Sequence, residues 1–477
     1  MFTQYRCTII RGKSQRMMDS LLPAYAGIIH QICPCPEAEF NSQFDEMISR
    51  YTHAKSENAM ASAKTIANHR TEIAGKLFGL FRKSDGMVYA SDKCKNYVKN
   101  EDNPMFFKDI CLKFQFPNGM DKQYFNHHDE GIKIRQFVFI IKAMKYASEL
   151  SVKLSLNEVY YYILNCKETL SSNYSPKEIV DYIVSDRRKG VLNQVPGGSY
   201  DMQHLTEQIN LLVLSNLVRL ENDYLSLNLK ENVAISHFLS IDHSVLPVLL
   251  ESNSEESKRA FLYEWQEYYT SVSYSGLEDL QTPNDALEPS ASTITSSDTS
   301  GKSSEQIIAT DKPESDPDLG DLGENLIYNY ERNRIQKSDS RLAIKVQAVG
   351  ARRGLGYDIQ SVYGQENLSK REFHKYIEVK STKRVTPPTS LDSDWMDTVT
   401  MTRNEWVAAE QYGENYFIYR VIFSTAGPFV HVIHNPYKKN EEGSIQAIPT
   451  NYRVDIFKES INPIITNEQV YEVIGAA

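Results

Sequence analysis

The sequence predicts a multidomain protein with a mainly helical N-terminal half that contains a winged helix, an acidic linker, and a C-terminal α/β domain with a mixed sheet flanked by helices. Its 477 residues are too many for one hydrophobic core. Apolar residues recur at helical spacing through the first half, whereas strand-length apolar runs alternate with helices towards the C-terminal end. The predicted regions are 1–150, mainly helical; 151–275, winged helix and further helices; 276–320, linker; and 321–470, the α/β domain.

The distribution of charge is more informative than its sum. The formal net charge of −10 would disfavour nucleic acid as a partner if it were spread evenly. Residues 277–321, however, hold eleven Asp and Glu and two Lys, a net of −9, so the rest of the chain sums to about −1. Basic patches are therefore compatible with this composition.

Composition also bears on the compartment. All six cysteines lie within the first 166 residues at irregular spacing, which is typical of reduced thiols. No apolar run approaches the roughly 20 residues of a membrane helix, and the N-terminus lacks the apolar core of a signal peptide. We expect a cytoplasmic protein without a membrane partner.

Residues 155–229 carry the signals of three helices and a hairpin. Two capping boxes of the form S-x-x-E, Ser155–Glu158 and Ser175–Glu178, begin the first two helices. A third helix is predicted over 201–217, and two apolar runs on either side of 221–223 indicate a hairpin. This order is typical of a winged helix, which places one helix in the DNA major groove or, as the alternative, binds another protein. The candidate DNA contacts at the end of the second helix are Arg187, Arg188 and Lys189.

Residues 276–320 are rich in Ser, Thr, Asp, Pro and Glu and contain few core-forming residues. Such a segment buries too little apolar surface to offset the entropy lost on ordering. We expect a disordered tether between the two halves.

The C-terminal region alternates helices with strands. The predicted elements, in order, are a helix over 322–336, strands over 341–349, 359–363 and 376–382, a helix over 404–412 that begins with a T-x-x-E capping box, and strands over 416–423 and 429–433. Together they predict a mixed sheet flanked by helices.

Three charged residues on these strands predict a reactive site. Successive side chains on a strand alternate between its faces, so Glu378 and Lys380 point to the same side. If 359–363 pairs with 376–382 as a hairpin, Asp358 lies beside Glu378. Two carboxylates at such a short distance repel each other unless a cation lies between them. Oxygen ligands of this kind suit Mg²⁺, which one or two carboxylates hold together with substrate phosphate.

These residues resemble the D…ExK signature of the PD-(D/E)xK nuclease superfamily. Within it, the region from about Gly323 to about Val432 is similar to the C-terminal domain of the plant protein NO VEIN, which recurs in bacterial restriction and phage-defence proteins. The usual proline is replaced by Tyr357. The likeness is carried by five blocks in the same order: Gly323-Glu324 with Tyr330-Glu331-Arg332; Gly354-Leu355-Gly356-Tyr357-Asp358-Ile359; Ile377-Glu378-Val379-Lys380-Ser381-Thr382; Thr402-Arg403-Asn404-Glu405-Trp406; and Tyr416-Phe417-Ile418-Tyr419-Arg420-Val421.

The resemblance implies a role for each residue of the site. Asp358, Glu378 and the backbone carbonyl of Val379 would bind Mg²⁺, for which Mn²⁺ is expected to substitute. Lys380 would orient or deprotonate the attacking water and stabilise charge on phosphate oxygen, and Glu324 would bind water or a second metal. The residues predicted to contact DNA phosphates are Arg352, Arg353, Lys383 and Arg384.

The resemblance implies a Mg²⁺-dependent endonuclease of prokaryotic restriction or anti-phage defence that cuts double-stranded DNA and leaves 5′-phosphate ends. The N-terminal half would recognise DNA. The alternative is a non-catalytic DNA- or partner-binding scaffold that uses a nuclease-like fold. The chain has no Walker A motif and no evident methyltransferase motif, so translocation or methylation would need a separately encoded ATPase or methyltransferase. A homodimer is left open.

Overall fold

The computed structural model describes residues 2–8, 14–53, 63–120, 123–196, 199–243, 254–272, 319–350, 355–386, 388, 396–448 and 453–461. The predicted linker over 276–320 lies outside the described residues except for its last two positions. Arg352 and Arg353 lie outside them as well.

The N-terminal half is rich in helix. Its α-helices are α1 (Gln15–Ile32), α2 (Glu37–His53), α3 (Ala63–Asn68), α4 (Asp92–Asn100), α5 (Asn103–Lys113), α6 (Tyr124–Asp129), α7 (Gln136–Glu149), α8 (Leu156–Glu158), α9 (Lys167–Leu170), α10 (Pro176–Arg188), α11 (Ser199–Leu214), α12 (Asn232–Ser240) and α13 (Glu255–Thr270). Two wider π-helical segments, His69–Leu77 and Val159–Leu164, continue α3 and α8, and a 3₁₀ turn covers Leu229–Glu231. The short strands are β1 (Cys35–Pro36), β2 (Phe81–Ser84), β3 (Met87–Ala90), β4 (Leu154–Ser155), β5 (Val218–Glu221) and β6 (Tyr224–Leu227).

One hydrophobic core runs through this half, from Met18 on α1 to Trp265 and Tyr269 on α13. A buried ion pair joins residues from before and after position 150 within this core: Nζ of Lys108 lies 2.8 Å from Oε2 of Glu231. The predicted boundary near residue 150 therefore has no counterpart in the packing. The apolar faces on either side of it are buried against each other, which makes residues 2–272 one body where they are described.

The predicted helices and hairpin after residue 154 are present. Both capping boxes form: the Ser155 and Ser175 hydroxyls accept from the N–H groups of Glu158 and Glu178, whose carboxylates accept in return. Helix α11 follows, and β5 and β6 pair as an antiparallel hairpin whose turn holds Asn222 and Asp223 at positive φ. Strand β4 adds to the hairpin beside β6. The elements thus run strand, four helices, hairpin, because the short helix α9 lies between the first two predicted helices.

The C-terminal half contains a mixed five-stranded sheet with helices on both faces. Its helices are α14 (Leu319–Ser338), α15 (Arg403–Tyr412) and α16 (Pro436–Glu441). Its strands are β7 (Gln347–Ala348), β8 (Ile359–Val362), β9 (His374–Lys383), β10 (Met396–Thr400), β11 (Tyr416–Ser424), β12 (Gly427–His434), β13 (Ile445–Ile448) and β14 (Arg453–Phe457). Short 3₁₀ turns cover Ala343–Lys345, Gly364–Glu366, Leu368–Lys370, Gly413–Asn415 and Lys458–Ser460.

The main sheet has the strand order β12-β11-β9-β8-β7. Strands β9 and β11 are parallel, whereas β8 and β9 form the predicted antiparallel hairpin. One apolar cluster packs α14 on one face, and a second packs α15 on the other. Strand β9 is therefore central and covered on both sides, which places its charged residues among packed neighbours.

Two parts of this half differ from the sequence prediction. The strand predicted over 341–349 is a 3₁₀ turn followed by the two-residue strand β7, because only its end pairs with β8. Strands β10, β14 and β13 form a separate three-stranded sheet that the sequence did not indicate. In the described part of the chain, no helix has both the length and the apolar character needed to cross a membrane.

Candidate active site

Strand register brings Asp358 beside Glu378. Ile359 on β8 faces Ile377 on β9, and the backbone N–H of Asp358 donates to the carbonyl oxygen of Ile377 at 2.9 Å. Oδ2 of Asp358 then accepts a hydrogen bond from the N–H of Val379 at 2.8 Å. The carboxylate of Asp358 is thereby fixed next to the strand that carries Glu378, as the hairpin predicted.

Lys380 lies between two carboxylates. Its Nζ is 2.7 Å from Oε1 of Glu378 on the same strand and 2.8 Å from Oε2 of Glu405 on α15. Glu378 and Lys380 therefore share the face of β9 that α15 covers, which confirms the predicted alternation. Glu378 is only 3% exposed, so this ion pair is largely shielded from water.

The electrostatics show an excess of negative charge. Burial raises the pKa of Glu378 well above its usual value, and the nearby carboxylates of Asp358 and Glu405 raise it further, against the opposing charge of Lys380. Burial likewise raises the pKa of Asp358. For Lys380, burial lowers the pKa, but the two carboxylates outweigh that effect and the net pKa is raised. The site thus holds more carboxylates than its one lysine can neutralise.

Glu324 approaches the same site from α14. A methyl group built on Gly350 would lie 2.9 Å from Oε2 of Glu324 and 3.1 Å from Oδ1 of Asp358, so both carboxylates border the space above Gly350. The adjacent Gly323 lets α14 come close to β9, because a methyl group there would lie 1.8 Å from Oγ of Ser381. Close helix packing therefore sets the position of Glu324.

The donor set fits a hard divalent cation. Asp358 and Glu378 supply carboxylate oxygens, and Val379 supplies a backbone carbonyl between Glu378 and Lys380, all of them oxygen ligands of the kind Mg²⁺ prefers. Burial is the main cause of the raised pKa of both carboxyl groups, and a bound cation would oppose it by favouring their charged forms. Within the described residues, no three His, Cys, Asp or Glu side chains converge to hold a metal ion. The fit therefore rests on two side chains and a carbonyl, without Glu324 as a third ligand.

Two of the residues predicted to contact DNA phosphates have protein side chains as partners in the structure. Arg384 is 7% exposed and its Nη2 lies 2.6 Å from Oδ1 of Asp397. Lys383 reaches towards Asp102 of the N-terminal half, with Nζ and Oδ2 3.8 Å apart. Both lie where the two halves meet, so the expectation that they face DNA needs correction: the N-terminal half covers this end of β9.

The three basic residues predicted on α10 lie at its exposed C-terminal end. Arg187 forms an ion pair with Glu158 and donates to the backbone carbonyl of Lys153 at 2.7 Å. Arg188 and the following Lys189 are exposed to solvent. Arg187 therefore has a structural partner, whereas the surface offered by the other two is open.

Sequence reasoning missed the part that Glu405 plays. It identified the capping box, which forms as predicted: Thr402 accepts from the N–H of Glu405, and Oε2 of Glu405 accepts from the N–H of Thr402 at 3.0 Å. The same oxygen also contacts Lys380. Nothing in the local pattern distinguishes this box from the other two, because the contact with Lys380 depends on how α15 packs on the sheet.

Comparison with known proteins gives two family matches. The model described as "Restriction endonuclease BpuJI - N terminal" matches residues 1–261, and the model "Protein NO VEIN, C-terminal" matches residues 323–433. The second match confirms the resemblance of this region to the NO VEIN C-terminal domain. A search of curated proteins finds no match.

Among solved structures, the chain is similar to the crystal structure of pyrene- and phenanthrene-modified DNA in complex with the BpuJ1 endonuclease binding domain. The two are 38% identical with a TM-score of 0.52, over 56% of this chain and 98% of that one. The N-terminal half thus resembles a DNA-binding domain of a restriction endonuclease. Since the first family model covers more than half of the sequence, the chain belongs to the family of the restriction endonuclease BpuJI N-terminal region.

Proposed function

We propose that the protein is a Mg²⁺-dependent DNA endonuclease of restriction or anti-phage defence, in which the N-terminal half recognises double-stranded DNA and the C-terminal domain cuts it. The observation that carries the proposal is the grouping of Asp358, Glu378 and Lys380 on paired strands, with Lys380 Nζ 2.7 Å from Glu378. A PD-(D/E)xK fold is the assignment that explains this grouping within a NO VEIN-like domain.

DNA recognition by the N-terminal half is supported by its family and by the DNA complex of its structural relative. The order of β4, the helices α8 to α11 and the β5–β6 hairpin supports the assignment of a winged helix, in which α9 is a short addition to the three predicted helices. Arg188 and Lys189 are the candidates for phosphate contact, because their side chains are exposed. Such contacts set affinity and its salt dependence rather than the sequence that is read.

In the proposed reaction, Mg²⁺ held by Asp358, Glu378 and the carbonyl of Val379 would polarise the scissile phosphate and lower the pKa of water. Lys380 is placed to donate its N–H groups to the attacking water or to a phosphate oxygen on which charge develops. Asp358 keeps its orientation through the hydrogen bond from Val379. Mn²⁺ is expected to replace Mg²⁺ because it accepts the same oxygen ligands.

The test is cleavage of plasmid, phage and base-modified DNA by the purified full-length chain, with Mg²⁺, Mn²⁺ or EDTA, followed by sequencing of the ends. Asp358→Asn, Glu378→Gln and Lys380→Ala should each abolish cutting, with 5′-phosphate ends seen only for the wild type. Glu372→Gln is the matched control, because Glu372 is exposed and pairs with Lys345 away from the site. Undiminished cutting by any of the three site variants would refute the assignment of the nuclease active site to these residues.

The alternative is a non-catalytic scaffold that binds DNA or a partner ATPase or methyltransferase. It is favoured if the wild-type chain binds duplex DNA in a salt-dependent manner but leaves every substrate intact with either metal. The burial of Glu378, which is 3% exposed and pairs with Lys380, argues for the enzyme, because burying a charged group is costly unless it serves a role.

A further inference from the structure

We propose that Glu405 is a positioning residue of the active site, which holds the ammonium group of Lys380 together with Glu378. The inference rests on the proposed nuclease function and adds a residue that the sequence did not predict for the site. Its basis is the contact of 2.8 Å between Oε2 of Glu405 and Nζ of Lys380.

The first argument is that Lys380 has two anionic partners with different duties. Glu378 is assigned to the metal, so a bound cation would share its negative charge with Lys380. Glu405 lies on another element, α15, and does not belong to the proposed ligand set. It therefore gives the Lys380 side chain, which carries much rotamer freedom when unrestrained, a second anchor that does not depend on the metal.

The second argument is that α15 is held firmly against the loop that leads to Asp358. Gly356 has a φ of +75°, and a methyl group built on it would lie 2.5 Å from the carbonyl oxygen of Asn404. The carbonyl of Gly356 in turn accepts a hydrogen bond from the hydroxyl of Tyr416 at 2.8 Å. The first turn of α15 and the loop before Asp358 are thus one packed unit, which fixes Glu405 relative to the rest of the site.

The third argument comes from the other two capping boxes, of which that of Glu158 also contacts a basic side chain, Arg187. Glu178 occupies the same position in its box as Glu405 does, and its carboxylate accepts from the N–H of Ser175 in that box. Capping alone therefore accounts for a glutamate at this position, but it does not require a lysine beside it. The contact between Glu405 and Lys380 is an addition that the cap does not explain.

Three substitutions separate positioning from capping. Glu405→Gln keeps an oxygen that accepts from the N–H of Thr402 but removes the charge that holds Lys380. Thr402→Ala removes the cap hydroxyl and leaves the Glu405 carboxylate in place. Glu178→Gln makes the same chemical change as the first variant in a box that lies outside the site.

The measurements are the cleavage rate at saturating DNA, the KM for DNA, Mg²⁺ binding by calorimetry, and the melting temperature. For Glu405→Gln we expect a rate about 10- to 100-fold lower, the range typical of residues that orient a catalytic group, with KM, Mg²⁺ binding and melting temperature unchanged. Thr402→Ala should lower the melting temperature and leave the rate within a few-fold. Glu178→Gln should leave the rate unchanged.

Two results would overturn the inference. The first is that Glu405→Gln cleaves DNA at the wild-type rate. The second is that Glu405→Gln and Thr402→Ala both lose cleavage rate in proportion to their loss of melting temperature. That result would mean that Glu405 acts only as a capping residue. Both require an active wild-type protein that Asp358→Asn inactivates. A wild type that cuts no DNA would instead refute the proposed function, and the inference with it.

Discussion

The guanidinium of Arg420 joins the two halves of the chain, because its Nη2 lies 3.0 Å from Oε2 of Glu101. Arg420 also pairs with Asp397 through Nε at 2.9 Å. The backbone carbonyl of Glu101 accepts from the N–H of Lys383 and from the hydroxyl of Thr382, both at 3.2 Å. The N-terminal half is thus bonded to the end of the strand that carries Lys380.

We predict that Glu101→Gly weakens the association of the two halves. Glycine suits the position, since Glu101 has a φ of 46°, so the change removes the carboxylate without backbone strain. Loss of a charged hydrogen bond costs about 1.5–3 kcal/mol, or roughly 10- to 100-fold in affinity. The measurement is the dissociation constant of the halves after cleavage at a protease site inserted into the linker.

Asp85→Gly is the matched control for this prediction. Asp85 also has a positive φ, of 50°, but it lies in the exposed turn between β2 and β3. The Asp85→Gly variant should therefore leave the dissociation constant of the two halves unchanged. An unchanged constant for Glu101→Gly as well would mean that the contact with Arg420 contributes nothing to the association.

We predict that Glu231→Ala destabilises the whole N-terminal half. Glu231 is 2% exposed and binds both Lys108, at 2.8 Å, and the amide of Asn216, at 2.7 Å. Its removal leaves a buried lysine unpaired, which costs about 3–5 kcal/mol. Urea unfolding should show a lower midpoint with a single transition, because the pair spans one continuous core.

The control for the buried pair is Glu149→Ala, which removes an exposed partner of Lys145 and should change the midpoint little. The double variant Lys108→Met with Glu231→Leu should recover much of the lost stability, because no charge is left buried. Different transition midpoints for spectroscopic probes placed before and after residue 150 in the wild type would contradict the single body of residues 2–272.

We predict that Glu331 makes the stability of the C-terminal half depend on pH. Glu331 is fully buried. Burial alone would raise its pKa, but the charges of Lys375 and Arg334 outweigh that effect and lower the pKa to about 2. Because the folded pKa is below the unfolded value of 4.5, its stabilisation is complete above pH 4.5 and is lost as the pH falls towards 2. At pH 3.5 the loss from this group is on the order of 1 kcal/mol.

The measurement is the free energy of unfolding at pH 7 and pH 3.5 for the wild type and Glu331→Gln. The variant should be less stable at pH 7, since Lys375 and Arg334 lose their anion, yet it should lose less on acidification than the wild type does. Glu441→Gln, an exposed position on α16, should match the wild type at both values. An equal acid loss in Glu331→Gln and the wild type would exclude this role.

The parts of the site that the sequence predicted are those that local geometry decides. Strand alternation placed Glu378 and Lys380 on one face, and the β8–β9 hairpin brought Asp358 beside them. The role of Glu405 and the burial of Arg384 depend on which surfaces pack together, which no local pattern encodes. Arg384 was expected to face DNA because it is charged and close to the site, but the N-terminal half and Asp397 occupy that side.

We predict that Gly323→Ala disturbs the packing of α14, whereas Gly320→Ala does not. A methyl group at Gly323 would meet Oγ of Ser381 at 1.8 Å and Cβ of Ser381 at 3.1 Å, so the helix must move away from β9. Overpacking of this kind costs roughly 1–3 kcal/mol. Gly320 lies one turn earlier with nothing within 4 Å, so alanine there should slightly stabilise the helix. Thermal unfolding of the two variants provides the comparison, and equal melting temperatures would contradict it.

Gly350→Ala should impair Mg²⁺ binding and cleavage while leaving the fold intact. The added methyl group would lie 2.9 Å from Oε2 of Glu324 and 3.1 Å from Oδ1 of Asp358, within the space that both carboxylates border. These neighbours are ends of side chains, so they can turn aside at little cost in stability, but Asp358 then leaves the orientation fixed by Val379. Calorimetric titration with Mg²⁺ should show at least about tenfold weaker binding, the lower end of the effect of disturbing a metal site, with an unchanged melting temperature.

Gly320→Ala is again the control, since it adds the same methyl group to open space on α14. Mg²⁺ binding of wild-type strength in Gly350→Ala would show that the space between Glu324 and Asp358 is not part of the metal site.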